Sequence, residues 1–390
     1  MEYGEKAGMN LLIKLVVSVF LAVIFFEFVA KTTVNSKDLD IAALGDGTSV
    51  VWGEVDGERV HCEDYFDVAM CLDNHAKNIG KTNTFLWVGN SQLHAINQMS
   101  TADEPASVIL AKRLKEESSY LLTMSQANAN LQEHYVVLSY ISHLIPLDVL
   151  ILPVIFDDLR ETNVRVGIKR LFNDIPRDGF QDEYLEELIG FYDAESSTKN
   201  ATTDNSDDFT GLDGSTQLLV ENIFNEILEN SYTNWSQRGI IRGNLELALY
   251  RLRNFVFGVN ASSERKIIPS RYNANLNALN KILELAETRG ISVLIYIPPL
   301  RDDYPRPYNP REYSEFKQKI IAVASNGPAF FFDFEATVPN QYWGQKDATG
   351  QGKELELDFM HFQAKGHHSL ANALYDGLNV VLQKRQTDDL

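Results

Sequence analysis

The chain has 390 residues, 44% hydrophobic and 23% charged, which is enough for a sizeable core in about two domains or one large α/β domain. Its 23 glycines and 12 prolines exclude a collagenous or broadly low-complexity protein. Thirty-five basic against 54 acidic residues leave a net charge of −19, which argues against a nucleic-acid partner; two cysteines, Cys62 and Cys71, are too few for a disulfide scaffold or a four-cysteine zinc site.

After a ten-residue head, 1–10, the stretch Leu11 to Ala30 (LLIKLVVSVFLAVIFFEFVA) has the length needed to cross ~30 Å of hydrocarbon. Its two charges, Lys14 and Glu27, lie near the ends, where they can reach the interface. No small-x-small cleavage site follows, because Phe28 stands where the first small residue belongs, so the stretch is predicted to be an uncleaved anchor in a lipid bilayer. Lys6 and Lys14 balance Lys31 and Lys37, and orientation rests on layout alone: a short head before a large domain places the rest outside the cytoplasm, periplasmic or extracellular. There Cys62 and Cys71 either pair across their short loop or stand as two unrelated thiols.

Residues 31–83 read as a stalk and lead-in segment with a short strand or two around Ser49–Val55. Thr84–Gly89 (TFLWVG) is a buried strand that stops at Gly-Asn-Ser, and helical spacing begins over His94–Gln98. Helices around Ala106–Glu117 and Leu131–Leu144 precede apolar strands at Tyr120–Met124 and Asp148–Ile155. Residues 194–213, rich in Ser, Thr, Asn and Asp, form an exposed loop, and 216–258 have helical spacing, so a loop and helical insertion spans about 194–260. The cadence then returns: helix Asn275–Arg289, strand Ile291–Ile297, helix Pro310–Ala324, strand Ala329–Phe334 and a closing helix Ala364–Gln383. Such alternation predicts a three-layer α/β/α domain over 84–390, built on a mainly parallel central sheet and interrupted by the helical insertion.

Two motifs lie 267 positions apart (358 − 91). In WVGNSQ, Trp87 to Gln92, Ser91 stands at the tip of a parallel strand before a helix, where its hydroxyl is exposed and helix-start N–H groups face a developing oxyanion; the alternative is ordinary N-cap chemistry. In LDFMHFQAKGHHS, Leu357 to Ser369, Asp358 and His361 sit two residues apart before a helix. A serine nucleophile needs an imidazole base, and the imidazole needs a carboxylate to hold its tautomer.

Together the motifs resemble the SGNH (GDSL-like) hydrolase superfamily, in which a Gly-Asp-Ser block follows the first strand and Asp-x-x-His precedes the last helix; here these are Gly89-Asn90-Ser91 and Asp358-Phe359-Met360-His361. The likeness covers roughly 84–385. It implies the SGNH/flavodoxin-like fold, Ser91 as nucleophile, His361 as general base and then acid, Asp358 as orienting carboxylate, and no cofactor or metal. The family's Gly and Asn blocks, which supply oxyanion donors, are replaced: LTMSQANANLQE (122–133) occupies the first position and VIFDDLRETNVR (154–165) the second. Oxyanion donors are accordingly sought at Ser91, Ala127, Asn128 and Asn163. Asp157 and Asp158 stand where an amide donor is expected, and a carboxylate cannot donate unless protonated; with Arg160 they are candidates for substrate binding. The layout of one N-terminal anchor and an outward domain resembles the D-alanine transfer protein of teichoic acid synthesis and the alginate O-acetylation proteins. It implies acylated carbohydrate or polymer as substrate and a multi-span membrane acyltransferase as partner.

The loop Tyr296–Tyr313 has Arg301, Arg306, Arg311, Tyr304 and Tyr308, a set suited to an anionic or sugar substrate if it is not merely a rigid solvated loop. QYWG, 341–344, is either a carbohydrate platform or core. Two rival functions stand beside acyl-ester chemistry: a non-catalytic SGNH-like scaffold that binds polymer or recruits an acyltransferase, and a metal hydrolase built from His361, His367, His368 and Asp358, which lacks a His-Glu-x-x-His pattern.

Overall fold

A computed structural model describes residues 47–62, 65–77, 83–172, 182–189, 249, 252–254, 256–259, 263–325, 327–347 and 355–388. The chain divides into two compact units, one of residues 1–43, 204–259 and 349–351, the other of 44–203, 260–348 and 352–390. In the first, the described residues 249, 252–254 and 256 are helical, within the stretch predicted so. The predicted head and anchor (1–30), the stalk to residue 46, the polar loop 194–213 and the remainder of the helical stretch lie outside the described residues. Among the described residues no helix is long and apolar enough to cross a membrane.

The second unit begins with four short strands, β1 (Thr48–Val50), β2 (Glu54–Val55), β3 (Glu58–Arg59) and β4 (His61–Cys62), and a helix, α1 (Tyr65–Lys77). Next come β5 (Thr84–Gly89), α2 (Ser91–His94), β6 (Ala95–Asn97), α3 (Ala106–Glu116), β7 (Tyr120–Ser125), α4 (Leu131–Leu144), β8 (Val149–Pro153) and α5 (Val166–Lys169). After the insertion follow α6 (Pro269–Thr288), β9 (Ser292–Ile297), α7 (Pro310–Ala324), β10 (Ala329–Asp333), β11 (Trp343–Asp347), β12 (Leu355–Phe362) and α8 (Ala364–Asp388).

Six strands form one parallel sheet in the order β10-β9-β8-β5-β7-β4. Strand residues alternate between its faces, so each strand feeds two cores. Leu86, Val88, Leu122, Leu150, Leu152, Val293 and Ile295 pack with α1, α4, α6 and α7, while Phe85, Trp87, Leu121, Ile151, Leu294 and Tyr296 pack with α3 and α8. The fold is a three-layer α/β/α sandwich. Its centre β5 has β7 on one side and β8, reached later in the chain, on the other. Crossovers from β5 therefore diverge, and parallel sheets leave their crevice at such a point, outside the strand carboxyl ends.

Local chemistry marks the boundaries. Asn130 caps α4 through a capping box with Glu133, and α7 starts with Asn309 accepting from the Arg311 and Glu312 N–H groups and Pro310 at the first turn. The short strand or two expected around Ser49–Val55 are β1 and β2, parted at Gly53, whose missing Cβ leaves room for the Val108 side chain. Two features differ from the sequence expectation. The helix predicted over His94–Gln98 ends at His94, because Ala95 turns extended and β6 pairs antiparallel with β1. The edge strand β4, only two residues long, was too short for periodicity to reveal; it is fastened by a Cys62–Cys71 disulfide to α1, with the Cα atoms 6.6 Å apart. Of the two alternatives for these cysteines, the paired one holds.

Candidate active site

Ser91 is the first residue of α2, directly beyond the carboxyl end of β5. Asn90 caps this short helix: its Oδ1 accepts from the Gln92 N–H at 3.0 Å, and its Nδ2 donates to both oxygens of Asp158 at 3.1 and 3.2 Å. Gly89 permits the tight turn, since a Cβ there would run into the Leu93 side chain.

Asp358 and His361 stand just before α8, as the spacing predicts, and both lie in β12, which pairs antiparallel with β11. In a regular strand, residues three apart point to opposite faces. Here the register slips between the pairs Trp343↔Phe362 and Gln345↔Leu357, so that Gly344 alone faces the four residues Asp358 to His361. Within this bulge Asp358 Oδ1 accepts from the Met360 and His361 N–H groups, at 2.9 and 3.1 Å, winding the backbone into a turn that returns His361 over the carboxylate.

The three predicted catalytic residues are in line. Ser91 Oγ is 3.0 Å from His361 Nε2, and His361 Nδ1 is 3.0 Å from Asp358 Oδ2. Asp358 is fully buried. Burial by itself would raise its carboxyl, yet the charge and hydrogen bond of His361, Lys346 and the Met360 N–H outweigh burial and hold it well below the usual carboxylate range. An ionised Asp358 accepts the Nδ1 proton and leaves Nε2 free to accept from the serine hydroxyl. Ser91 and His361 are each 9% exposed.

The remaining predicted residues separate into several groups. Gln126 N–H donates to the Gly89 carbonyl at 3.1 Å, which brings the turn containing Ala127 and Asn128 against the Ser91 turn; the Ala127 carbonyl accepts from Arg165, and Asn128 has a positive φ of 54°. Asn163 is exposed, and its backbone is engaged: its N–H donates to Gln132 and its carbonyl accepts from Asn130. Asp157 accepts from the Tyr308 hydroxyl at 3.0 Å and pairs with Arg265 and Arg160. Asp158 is buried against Asn90, and burial pushes its carboxyl well above the usual range, the Asn90 hydrogen bond opposing. Arg160 also donates to the Lys266 carbonyl at 2.9 Å. Thus the two aspartates brace the crevice from inside.

The arginines of the 296–313 loop are likewise engaged. Arg301 is 7% exposed, donates to the Gly344 carbonyl at 2.8 Å and pairs with Asp303, so it buttresses the β12 bulge from behind. Arg306 pairs with Glu335 and lies over the Tyr313 ring, Arg311 pairs with Glu315, and Tyr304 is half-buried in the same loop. Of QYWG, Trp343 is core, its Nε1 donating to the Val338 carbonyl, whereas Tyr342 stays half-buried.

Sequence reasoning missed Gln92, whose buried Nε2 donates to the Pro299 and Met360 carbonyls, both at 2.9 Å. It ties the Ser91 turn to the His361 bulge across 268 positions of sequence. Also missed was a buried network: His61 Nδ1 meets Ser107 Oγ at 2.7 Å and its Nε2 meets Ser125 Oγ at 2.6 Å, while His94 Nδ1 shares Ser125 Oγ at 2.7 Å. No periodicity signals either, because both depend on long-range contacts. His367 accepts from the Ala106 N–H and donates to the Ala95 carbonyl, so both its ring nitrogens serve the backbone. Among the described residues no group of three or more His, Cys, Asp or Glu is arranged to hold a metal. No family model matches the chain, and no curated protein matches it in sequence.

Proposed function

We propose that the protein is a serine-dependent acyl-transfer enzyme of the SGNH type. More particularly, it is a membrane-anchored, extracytoplasmic acyl-ester hydrolase or O-acyltransferase acting on cell-envelope or exported polysaccharide, working beside a multi-span membrane acyltransferase. The observation that carries the reading is the unbroken Ser91–His361–Asp358 chain at the divergence point of a parallel sheet. The fold alone would host many chemistries.

In this mechanism His361 Nε2 takes the Ser91 proton as Oγ attacks the acyl carbonyl, and the ionised Asp358 stabilises the imidazolium. Collapse of the tetrahedral intermediate breaks the ester bond, the departing alcohol takes the Nε2 proton, and an acyl-Ser91 ester remains. Nε2 next deprotonates a water or a sugar hydroxyl, which attacks the ester and regenerates Ser91. Water gives hydrolysis and a hydroxyl gives transfer; the serine chemistry is common to both.

The test is fluorophosphonate labelling of the full chain, with mass spectrometry to locate the adduct and His361→Ala as control. The expected result is an adduct on Ser91 that is lost in the control. A folded chain that takes no label would replace this reading by the non-catalytic scaffold.

A further inference from the structure

At the start of α8 lies an open groove of about 450 Å³, bordered by Gln98, Ser100, Asp103, Gln341, Tyr342, Gln363, Ala364 and Lys365. Its volume is within the ~300–1,000 Å³ of small-molecule sites. Gln98 directly follows β6, which continues from the Ser91 helix, and Gln363 is two residues beyond His361, roughly 6–7 Å along an extended chain.

The border chemistry is selective. Ala364 is its one apolar side chain, so an acyl tail or apolar ligand gains little there. Asp103 and Lys365 cancel in charge, which leaves no cationic cluster for phosphate or nucleic acid. Three carboxamides, a hydroxyl and a carboxylate suit a ligand dense in hydroxyl groups. Gln363 Nε2 donates to Gln98 Oε1 at 2.6 Å, a pairing that leaves a donor at Gln98 Nε2 and an acceptor at Gln363 Oε1. Tyr342 supplies a ring, with the Lys365 ammonium 5.6 Å from its centroid. Gln98 also adopts φ 52°, a conformation a non-glycine residue rarely takes and one that clusters at ligand sites.

We infer that this groove binds a neutral saccharide segment, the part of a polysaccharide chain next to the acylated unit, through carboxamide hydrogen bonds and stacking on Tyr342. The inference extends the proposed acyl-ester chemistry by giving its polymer a binding site, but it stands on the groove's own residues.

Binding is measured by calorimetry on the full chain bearing Ser91→Ala, with cellohexaose, chitohexaose and mannohexaose as probes. At least one should bind with a millimolar or tighter Kd, and Tyr342→Ala should weaken it by about tenfold or more. Gln98→Asn, which tolerates the positive φ while shortening the carboxamide, should also weaken it, and an unchanged thermal midpoint certifies the fold of each variant. No binding of any probe, or affinities that ignore both substitutions, overturns the inference. Because the nucleophile is absent from this assay, hexasaccharide binding together with an unlabelled Ser91 would remove the catalytic reading and keep the groove; a labelled Ser91 without binding would do the reverse.

Discussion

Asp358 accepts three hydrogen bonds with two oxygens, and the division of labour between those oxygens separates structure from chemistry. Oδ1 holds the Met360 and His361 N–H groups and so shapes the turn, while Oδ2 faces the imidazole. Asp358→Asn keeps an acceptor for the turn but cannot balance an imidazolium charge. We expect it to fold with a thermal midpoint near that of the unaltered chain and to lose roughly 10³–10⁴-fold in esterase rate on a p-nitrophenyl ester. An undiminished rate would mean that the carboxylate has no part in turnover. The identities of Ser91, His361 and Asp358 were legible because each residue type has a narrow chemical use at a strand end. Asn90 and Asp158 were half legible: their positions stood out, but their mutual hydrogen bond, which turns the carboxylate inward, depends on β5 and β8 lying side by side.

At the level of elements, the decisive feature is the irregular pairing of β11 and β12. A four-residue excursion opposite one glycine lets an i, i+3 pair share a face of a strand. Gly344 is needed because a Cβ there would land on the Asn97 carboxamide, and Asn97 itself bridges Thr48 and the Gln345 carbonyl. Gly344→Ala should therefore cost about 1–3 kcal/mol by overpacking, read as a lower urea midpoint. Displacement of the Gly344 carbonyl from Arg301 should at the same time reduce esterase activity. An alanine variant as stable and active as the parent would show that the bulge has no such tight opposition. The main helices and strands were readable from apolar spacing. The hairpin was not, because β11 is short and polar and its partner strand holds the acidic and imidazole groups of the site.

For the molecule as a whole, burial of neutral imidazoles couples stability to pH. Burial lowers His94, His134 and His367 to about 3, with the Ala95 carbonyl opposing it at His367, and pushes His61 well below its ordinary value. The unfolded chain takes up these protons below about pH 6.5, whereas the folded chain resists until about pH 3, so stability falls as pH falls through that window. Each ring contributes up to about 1.4 kcal/mol per pH unit. His134, buried on α4 with an Nε2 that has no hydrogen-bond partner among the described residues, isolates one contribution from the carboxylates and the overall charge. Between pH 6.5 and 4.5, His134→Leu should flatten the plot of unfolding free energy against pH by up to that amount; parallel plots for the two proteins would refute the coupling.

Composition, the apolar runs and the placement of Gly89-Asn90-Ser91 and Asp358-x-x-His361 determined the layered parallel fold and the residues to watch, since local propensity, strand burial and side-chain chemistry are properties of short segments. Tertiary structure alone decided that the two motifs meet, that β4 pairs with β7 and is tied to α1 by its disulfide, that the loop arginines are spent on acidic neighbours, and that a polar groove opens at the start of α8. Each of these is a contact between residues far apart in the chain, whose energy depends on register and burial, and no local pattern specifies either.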